Sequence, residues 1–111
     1  MSRGTCWVRV AAKADLIARR RIVCTVAGVD IVLIYSSNEV LALENKCTHL
    51  GNPLHEGRIM AGTIICPFHG ACFDLRTGES IAGPAVAPVR VFKTRVEGEE
   101  VSLELPQHTG P

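Results

Sequence analysis

Two similar turns decide the fold of this chain: CTHLG at residues 47–51 and CPFHG at residues 66–70. Each turn contains a cysteine, a histidine two or three residues later, and a glycine at its end. Sixteen residues separate His49 from Cys66. Thiolates and imidazoles are the usual protein ligands of zinc and iron. The pattern therefore predicts that the two turns hold one metal centre between them.

Short predicted strands flank both turns. They cover residues 7–10, 21–26, 29–35, 39–45, 63–66, 71–75, 89–96 and 100–105. Ala27-Gly28 predicts a hairpin, and the alternation of Val101, Leu103 and Leu105 with polar residues predicts a strand with one buried face. Residues 11–20 carry no sustained helical period, although Asp15 is a candidate cap for one helical turn. We expect an all-β, antiparallel scaffold with a small metal-binding lobe inserted at about residues 45–85.

Composition narrows the class of protein. The chain has 111 residues, 47% apolar and 21% charged, which predicts one packed domain over residues 1–111. A net charge of +1 offers no electrostatic basis for binding nucleic acid. The longest apolar run, Ile31–Tyr35, is far too short for a membrane helix. No secretory signal is visible either, so we expect a cytoplasmic protein that does not bind membranes.

The mixed composition of each turn bears on the kind of metal. Two cysteines and two histidines suit a structural zinc ion. Zinc fingers, however, usually pair their cysteines in one turn and their histidines further along the chain. Here each turn supplies one of each, which suits two different metal atoms. A zinc-bound interaction module stays open as an alternative.

The two turns resemble the Rieske [2Fe–2S] motif, C-x-H followed by C-x-x-H. The resemblance extends through ACFDLRTGE at residues 71–79 and the Gly83-Pro84-Ala85 segment, which is similar to the family's proline loop. It spans about residues 7–105. It implies one [2Fe–2S] cluster and a Rieske-type iron–sulfur fold.

The same resemblance implies roles for individual residues. Cys47 and Cys66 would bind the buried iron, whereas His49 and His69 would bind the outer one. Four further residues, here called the apolar rim, would shield the cluster and meet partner proteins. They are Leu50, Pro67, Phe68 and Pro84.

Three residues near the second turn predict the redox potential. High-potential members of the family carry an additional disulfide-bonded cysteine in each turn, and Phe68 stands at one of those positions. They also carry a serine and a tyrosine whose hydroxyls bond to the cluster sulfurs. Here the matching residues are Ala71 and Phe73. We therefore predict a low-potential centre, below about 0 mV within the Rieske range.

The resemblance implies a function as well. We expect a soluble, monomeric one-electron carrier, and not an enzyme. It would pass electrons from an NAD(P)H-dependent flavoprotein reductase to a terminal oxygenase that hydroxylates aromatic rings. The small subunit of an assimilatory nitrite reductase is the alternative. An oxygenase subunit would need a second iron site, for which only His55 and His108 remain, and a respiratory or arsenite-oxidase subunit would need an anchor or export signal.

The remaining cysteines and histidines carry weaker expectations. Cys6, Cys24 and Cys72 are expected to be packed or partly buried thiols without a redox role. His55 is expected to be a surface-loop residue, and the run Arg19–Arg21 a solvated basic loop.

Overall fold

The computed structural model of the chain describes residues 5–68, 70–83 and 87–106. In chain order its elements are β1 (Thr5–Ala12), α1 (Lys13–Arg19), β2 (Arg21–Val26), β3 (Val29–Ser36), β4 (Glu39–Glu44), β5 (Arg58–Met60), β6 (Thr63–Ile65), β7 (Cys72–Asp74), β8 (Ser80–Ala82), β9 (Val91–Phe92), β10 (Thr94–Glu97) and β11 (Glu100–Pro106). They form sheet A (β1-β11-β10), sheet B (β2-β3-β4-β9) and sheet C (β5-β6-β7-β8). All strand pairs are antiparallel. The predicted all-β fold class is confirmed.

Strand β3 is the centre of the molecule. Its residues 31–34 are all buried, although successive side chains of a strand point to opposite faces. Ile31 and Leu33 join the core that sheet B forms with sheet A and α1. Val32 and Ile34 join the core that it forms with sheet C and the two cysteine turns. Sheet B is therefore the middle layer, and one of its faces supports the candidate metal centre.

The predicted hairpin and the predicted half-buried strand are both present. Ala27 and Gly28 have φ angles of 52° and 81° and connect β2 to β3. Two positive φ values in a two-residue loop match the twist of the flanking strands. In β11, Val101 and Leu103 are fully buried, while Ser102 and Glu104 are partly exposed.

A short helix occupies the segment for which no helical period was found. Helix α1 begins after Ala12, and no side chain caps its N-terminus. Asp15 lies in the first turn, so its prediction as the cap is wrong. The helix is positioned by packing, because Leu16 is fully buried in the core beneath sheet A. Seven residues are too few for a period to be recognised. No helix within the described ranges is long and apolar enough to span a membrane.

The prediction of one continuous strand over residues 89–96 is wrong, because this segment forms two short strands in different sheets. The chain forms β9, which pairs with β4, and then changes sheet at Lys93 to form β10, which pairs with β11. The hydroxyl of Thr94 donates to the carbonyl of Val40 at 2.8 Å, which holds the crossing point against β4. Strands β5 and β8, of three residues each, were not predicted. They complete sheet C around β6 and β7.

Candidate metal centre

The two cysteine turns have the same backbone geometry. The carbonyl of Cys47 accepts from the N–H of Gly51 at 2.7 Å, and the carbonyl of Cys66 accepts from the N–H of Gly70 at 3.1 Å. Each cysteine N–H donates to the carbonyl five residues later, at 2.7 Å in both turns. Both glycines have positive φ, 81° and 78°, which glycine adopts at little cost. The sequence repeat is thus a structural repeat.

The two turns bring Cys47 and Cys66 together in a dry environment. Each cysteine is 1% exposed, and both belong to the core between sheets B and C. Burial raises the pKa of the Cys47 thiol, and its hydrogen bond with the Cys66 thiol raises that pKa further. The backbone N–H groups of His49 and Leu50 act in the opposite direction, because they donate to the Cys47 sulfur. Those donors would stabilise a thiolate once a metal replaced the proton.

His49 lies on the outer side of the first turn. His49 is partly exposed, but its Nδ1 atom is buried. One ring nitrogen therefore faces the interior, while the residue keeps part of its surface toward solvent. His69, the second predicted histidine ligand, lies outside the described residues.

Apolar side chains beside the turns are open to solvent. Leu50 is 62% exposed and Phe68 is 56% exposed. Pro67 is exposed as well. Pro84, the fourth residue of the apolar rim, lies outside the described residues. Exposed apolar side chains beside the two turns make this part of the surface a candidate for contacts with other proteins.

A third segment of the chain packs against both turns. The hydroxyl of Thr48 donates to the carbonyl of Ala87 at 2.7 Å. On the other side, a Cβ on Gly83 would lie 2.7 Å from the Cα of Ala71 and from the carbonyl oxygen of Gly70. Because only glycine permits that approach, the chain on either side of residues 84–86 is held close to the first and the second turn.

Two buried side chains near the second turn, those of Ala71 and Phe73, carry no hydroxyl group. Ala71 and Phe73 are fully buried in the core that contains both cysteines. Neither can donate a hydrogen bond from its side chain. Cys72 points to the other face of β7, is partly exposed, and donates weakly to the carbonyl of Gly70 at 3.5 Å.

The other cysteines lie away from the turns. Cys6 is exposed on β1, so its prediction as a packed or partly buried thiol is wrong, whereas Cys24 is partly buried on β2 as predicted. Burial, helped by the negative charge of Asp30, raises the pKa of Cys24.

The donor set fits a [2Fe–2S] cluster of the Rieske type. Such a cluster takes two thiolates on one iron and two imidazoles on the other. The structure supplies two adjacent buried thiols, backbone donors directed at one of them, and a histidine with a buried ring nitrogen. The burial of the thiols and the partial exposure of His49 match the inner and outer positions of such a centre.

Sequence reasoning missed the polar contacts behind the first turn. Asn45 is 8% exposed, its Oδ1 accepts from the N–H of Leu54 at 2.7 Å, and its Nδ2 lies 3.1 Å from Nδ1 of His55. One guanidinium nitrogen of Arg21 donates to the carbonyls of His55 and Gly57 at 2.7 and 2.6 Å. His55 and Arg21 thus make hydrogen bonds within the fold, whereas the sequence predicted a surface-loop histidine and a solvated basic loop. The polar residue Asn45, two positions before Cys47, is the signal in the sequence that could have indicated these contacts.

The Rieske [2Fe–2S] domain model matches residues 6–93 of the chain. The chain therefore belongs to the Rieske [2Fe–2S] family, whose cofactor is one [2Fe–2S] cluster. This assignment confirms the predicted family and cofactor, and it favours iron and sulfide over zinc.

Relatives with known roles fall into two groups. The ferredoxin component of the naphthalene 1,2-dioxygenase system of Pseudomonas putida is 26% identical over 99 residues, which are 89% of this chain and 95% of that protein. The 3-phenylpropionate/cinnamic acid dioxygenase ferredoxin subunit of Shigella boydii is 32% identical over 78 residues, 69% of this chain and 74% of that protein. Mouse apoptosis-inducing factor 3 is 36% identical over 73 residues, but the chain spans only 12% of its length.

Solved structures agree with the first group. The ferredoxin of carbazole 1,9a-dioxygenase from Nocardioides aromaticivorans IC177 superposes with a TM-score of 0.81 at 34% identity, covering 90% of this chain and 97% of that one. A carbazole 1,9a-dioxygenase complex of reduced oxygenase and oxidized ferredoxin contains a chain that matches with a TM-score of 0.82 at 28% identity. That match covers 94% of this chain and 97% of the other.

Proposed function

We propose that this chain is a low-potential one-electron carrier. It takes electrons from an NAD(P)H-dependent flavoprotein reductase and delivers them to a terminal oxygenase that hydroxylates aromatic rings. The chief support is the nearly full-length similarity to ferredoxins of such systems, 97% of the carbazole dioxygenase ferredoxin being covered. The carrier is not itself an enzyme, and it acts as a cytoplasmic monomer.

The lobe at about residues 45–85 is the part that we assign to the cofactor. Cys47 and Cys66 would hold it from the buried side, His49 would hold it from the partly exposed side, and His69 would be the fourth ligand. When bound, a [2Fe–2S] cluster accepts and releases a single electron. Burial of the two cysteines excludes water from the inner side. The partial exposure of His49 supports an exit path for the electron through the imidazole edge.

The apolar rim is the surface that we assign to partner proteins. Leu50 and Phe68 expose 62% and 56% of their surface beside the two turns. A carrier must bind its reductase and its oxygenase in turn and release each one, which suits a small apolar contact. One face that serves both partners also agrees with a monomer.

The metal content tests the proposed ligands. We expect purified protein to be red-brown, with two irons and two acid-labile sulfides per chain. Cys47→Ala and Cys66→Ala should each lose the cluster, whereas Cys24→Ala should keep it as a matched control. Colourless protein that contains one zinc would overturn the proposal in favour of an interaction module.

Reconstituted turnover tests the partners. The protein, reduced by a flavoprotein ferredoxin reductase and NADH, should support product formation by a terminal ring-hydroxylating oxygenase. Leu50→Ser and Phe68→Ser should slow that turnover while the cluster content stays unchanged. Transfer of electrons to a nitrite reductase but to no oxygenase would favour the nitrite reductase alternative.

A further inference from the structure

The short loop at residues 54–57 connects the backbones of both cysteine turns. Its first residue, Leu54, donates its N–H to the side chain of Asn45, two residues before Cys47. Its last residue, Gly57, lies so close to Ile65 that a Cβ there would overlap the Ile65 carbonyl. Ile65 directly precedes Cys66. Any displacement of this loop therefore acts on the segments that carry both thiols.

The amide of Asn45 holds the first end of this loop. Because Oδ1 accepts from Leu54, Nδ2 must face the ring of His55, 3.1 Å away. That contact requires Nδ1 of His55 to accept, which places the ring proton on Nε2. Among the residues with described burial, Asn45 is the buried polar one, at 8% exposed. Burying an amide is costly unless its hydrogen bonds are made, and here both ends of the amide are bonded.

Arg21 holds the other end of the loop. One of its guanidinium nitrogens, Nη1, donates to the carbonyls of both His55 and Gly57. Arg21 begins β2, so these bonds tie the loop to sheet B. Glu56 places a charged side chain beside the ring, with Oε2 4.0 Å from Nε2 of His55. The loop is thus fixed by one buried amide and one cation from the scaffold.

We propose that Asn45 is a positioning residue of the electron-transfer site. Oriented by His55 and supported by Arg21, its amide sets the distance between the Cys47 and Cys66 turns, and thereby the stability and spectrum of the centre that they hold. This proposal rests on the proposed function, since it assumes that these two cysteines bind the cluster. Iron and sulfide analysis of the unaltered protein tests that assumption first and separately.

The test compares Asn45→Leu with Thr94→Val. Asn45→Leu keeps the branched shape of the side chain but removes both side-chain bonds. Thr94→Val also removes one interior side-chain bond, at the opposite end of β4 from Asn45. Partner residues around bound metals typically change metal affinity by about 10- to 100-fold. We expect Asn45→Leu to lose iron to a chelator at least about tenfold faster, with shifted EPR g-values of the reduced protein. Thr94→Val should change neither, even where it lowers the melting temperature.

If Asn45→Leu does not fold, two variants of His55 test the same proposal. His55→Phe removes the acceptor for Nδ2 of Asn45, whereas His55→Gln supplies an oxygen in its place. We expect His55→Phe to speed iron loss and shift the EPR spectrum in the same direction as Asn45→Leu, and His55→Gln to restore both. Unchanged spectra and iron-loss rates in every folded variant, with only melting temperatures lowered, would show a purely structural role and overturn the proposal.

Discussion

We expect Phe73 to influence the redox potential. Its ring is fully buried in the core that contains Cys66, at the position for which the family resemblance implies a tyrosine in high-potential members. We expect Phe73→Tyr to raise the midpoint potential, because a hydroxyl donor would stabilise the more negative, reduced centre. One hydrogen bond of about 1 kcal/mol corresponds to about 40 mV for one electron.

The control for Phe73→Tyr is Phe92→Tyr. Phe92 is also buried, but it lies in the core between sheets A and B. Protein-film voltammetry should find no shift for that variant. A potential that fell, or that rose equally in both variants, would contradict the assigned role of position 73.

Asp74 predicts a pH-dependent contribution to stability. Its Oδ1 accepts from the N–H groups of Arg76 and Thr77, at 2.8 and 2.9 Å, and these two bonds are the main reason that its pKa is lowered. A carboxyl whose pKa is lower in the folded state stabilises the fold above its unfolded pKa, about 3.9, and loses that effect as the pH falls through the folded value. Asp74→Ala should therefore lower the free energy of unfolding near pH 7 by about 1 kcal/mol.

The check on Asp74 is a pair of denaturation series at neutral and acidic pH. The difference between the unaltered protein and Asp74→Ala should shrink toward acidic pH. A difference that stayed constant down to about pH 3 would show that the charge plays no part. Glu79→Ala, which removes an exposed carboxylate in the same turn region, serves as the control.

At the scale of the elements, Gly78 makes a close contact between the turn after β7 in sheet C and the segment that leads into β9 of sheet B. Gly78 closes the turn after β7 and has a φ of 79°. Its N–H donates to Asp74, and its carbonyl accepts from the N–H of Val89, just before β9, with both bonds at 2.8 Å. A Cβ on Gly78 would overlap the carbonyl oxygen of Val89. A methyl group in place of a Gly78 hydrogen would therefore push the turn after β7 away from Val89.

Gly78→Ala should consequently destabilise the fold more than a positive φ alone explains. Gly28 has a φ of 81° with no atom near its would-be Cβ, so Gly28→Ala isolates the backbone cost of about 1 to 2 kcal/mol. Gly78→Ala should cost about 2 to 4 kcal/mol, because overpacking adds to that cost. Equal losses in chemical denaturation would mean that the contact with Val89 relaxes freely.

The elements also define how far the sequence predicts this structure. The hairpin at Ala27-Gly28 and the buried run of β3 follow from local turn chemistry and from hydrophobicity, which act within a few residues. The change of sheet at Lys93 depends on β4 and β11, distant in sequence, so no local pattern marks it. Strands β5 and β8 have three residues each, too short for an alternation to be recognised. The candidate site shows the same contrast between local patterns and contacts distant in sequence. A motif marks Cys47 and Cys66, whereas Arg21 comes close to the site only when the chain folds.

At the scale of the whole molecule, the net charge and the exposed apolar side chains lead to a prediction about how partners bind. The chain carries 12 basic and 11 acidic residues, a net charge of +1. Long-range steering by a net charge is therefore weak, and we expect docking to depend on the apolar rim, where Leu50 and Phe68 are exposed. Apolar contacts are little affected by salt, whereas exposed charge pairs are screened within about 8 Å at physiological ionic strength.

The expected result is a rate of electron transfer to the oxygenase that changes little with salt. Stopped-flow measurements between about 20 and 500 mM NaCl should vary by less than about threefold, since steered association falls much more steeply over that range. Phe68→Ser should lower the rate equally at every salt concentration, because it removes apolar contact area and no charge. Lys93→Glu, on an exposed residue of the scaffold, is the control that changes net charge without touching the rim. A steep fall with salt in the unaltered protein would show that local charges, and not the apolar rim, determine docking.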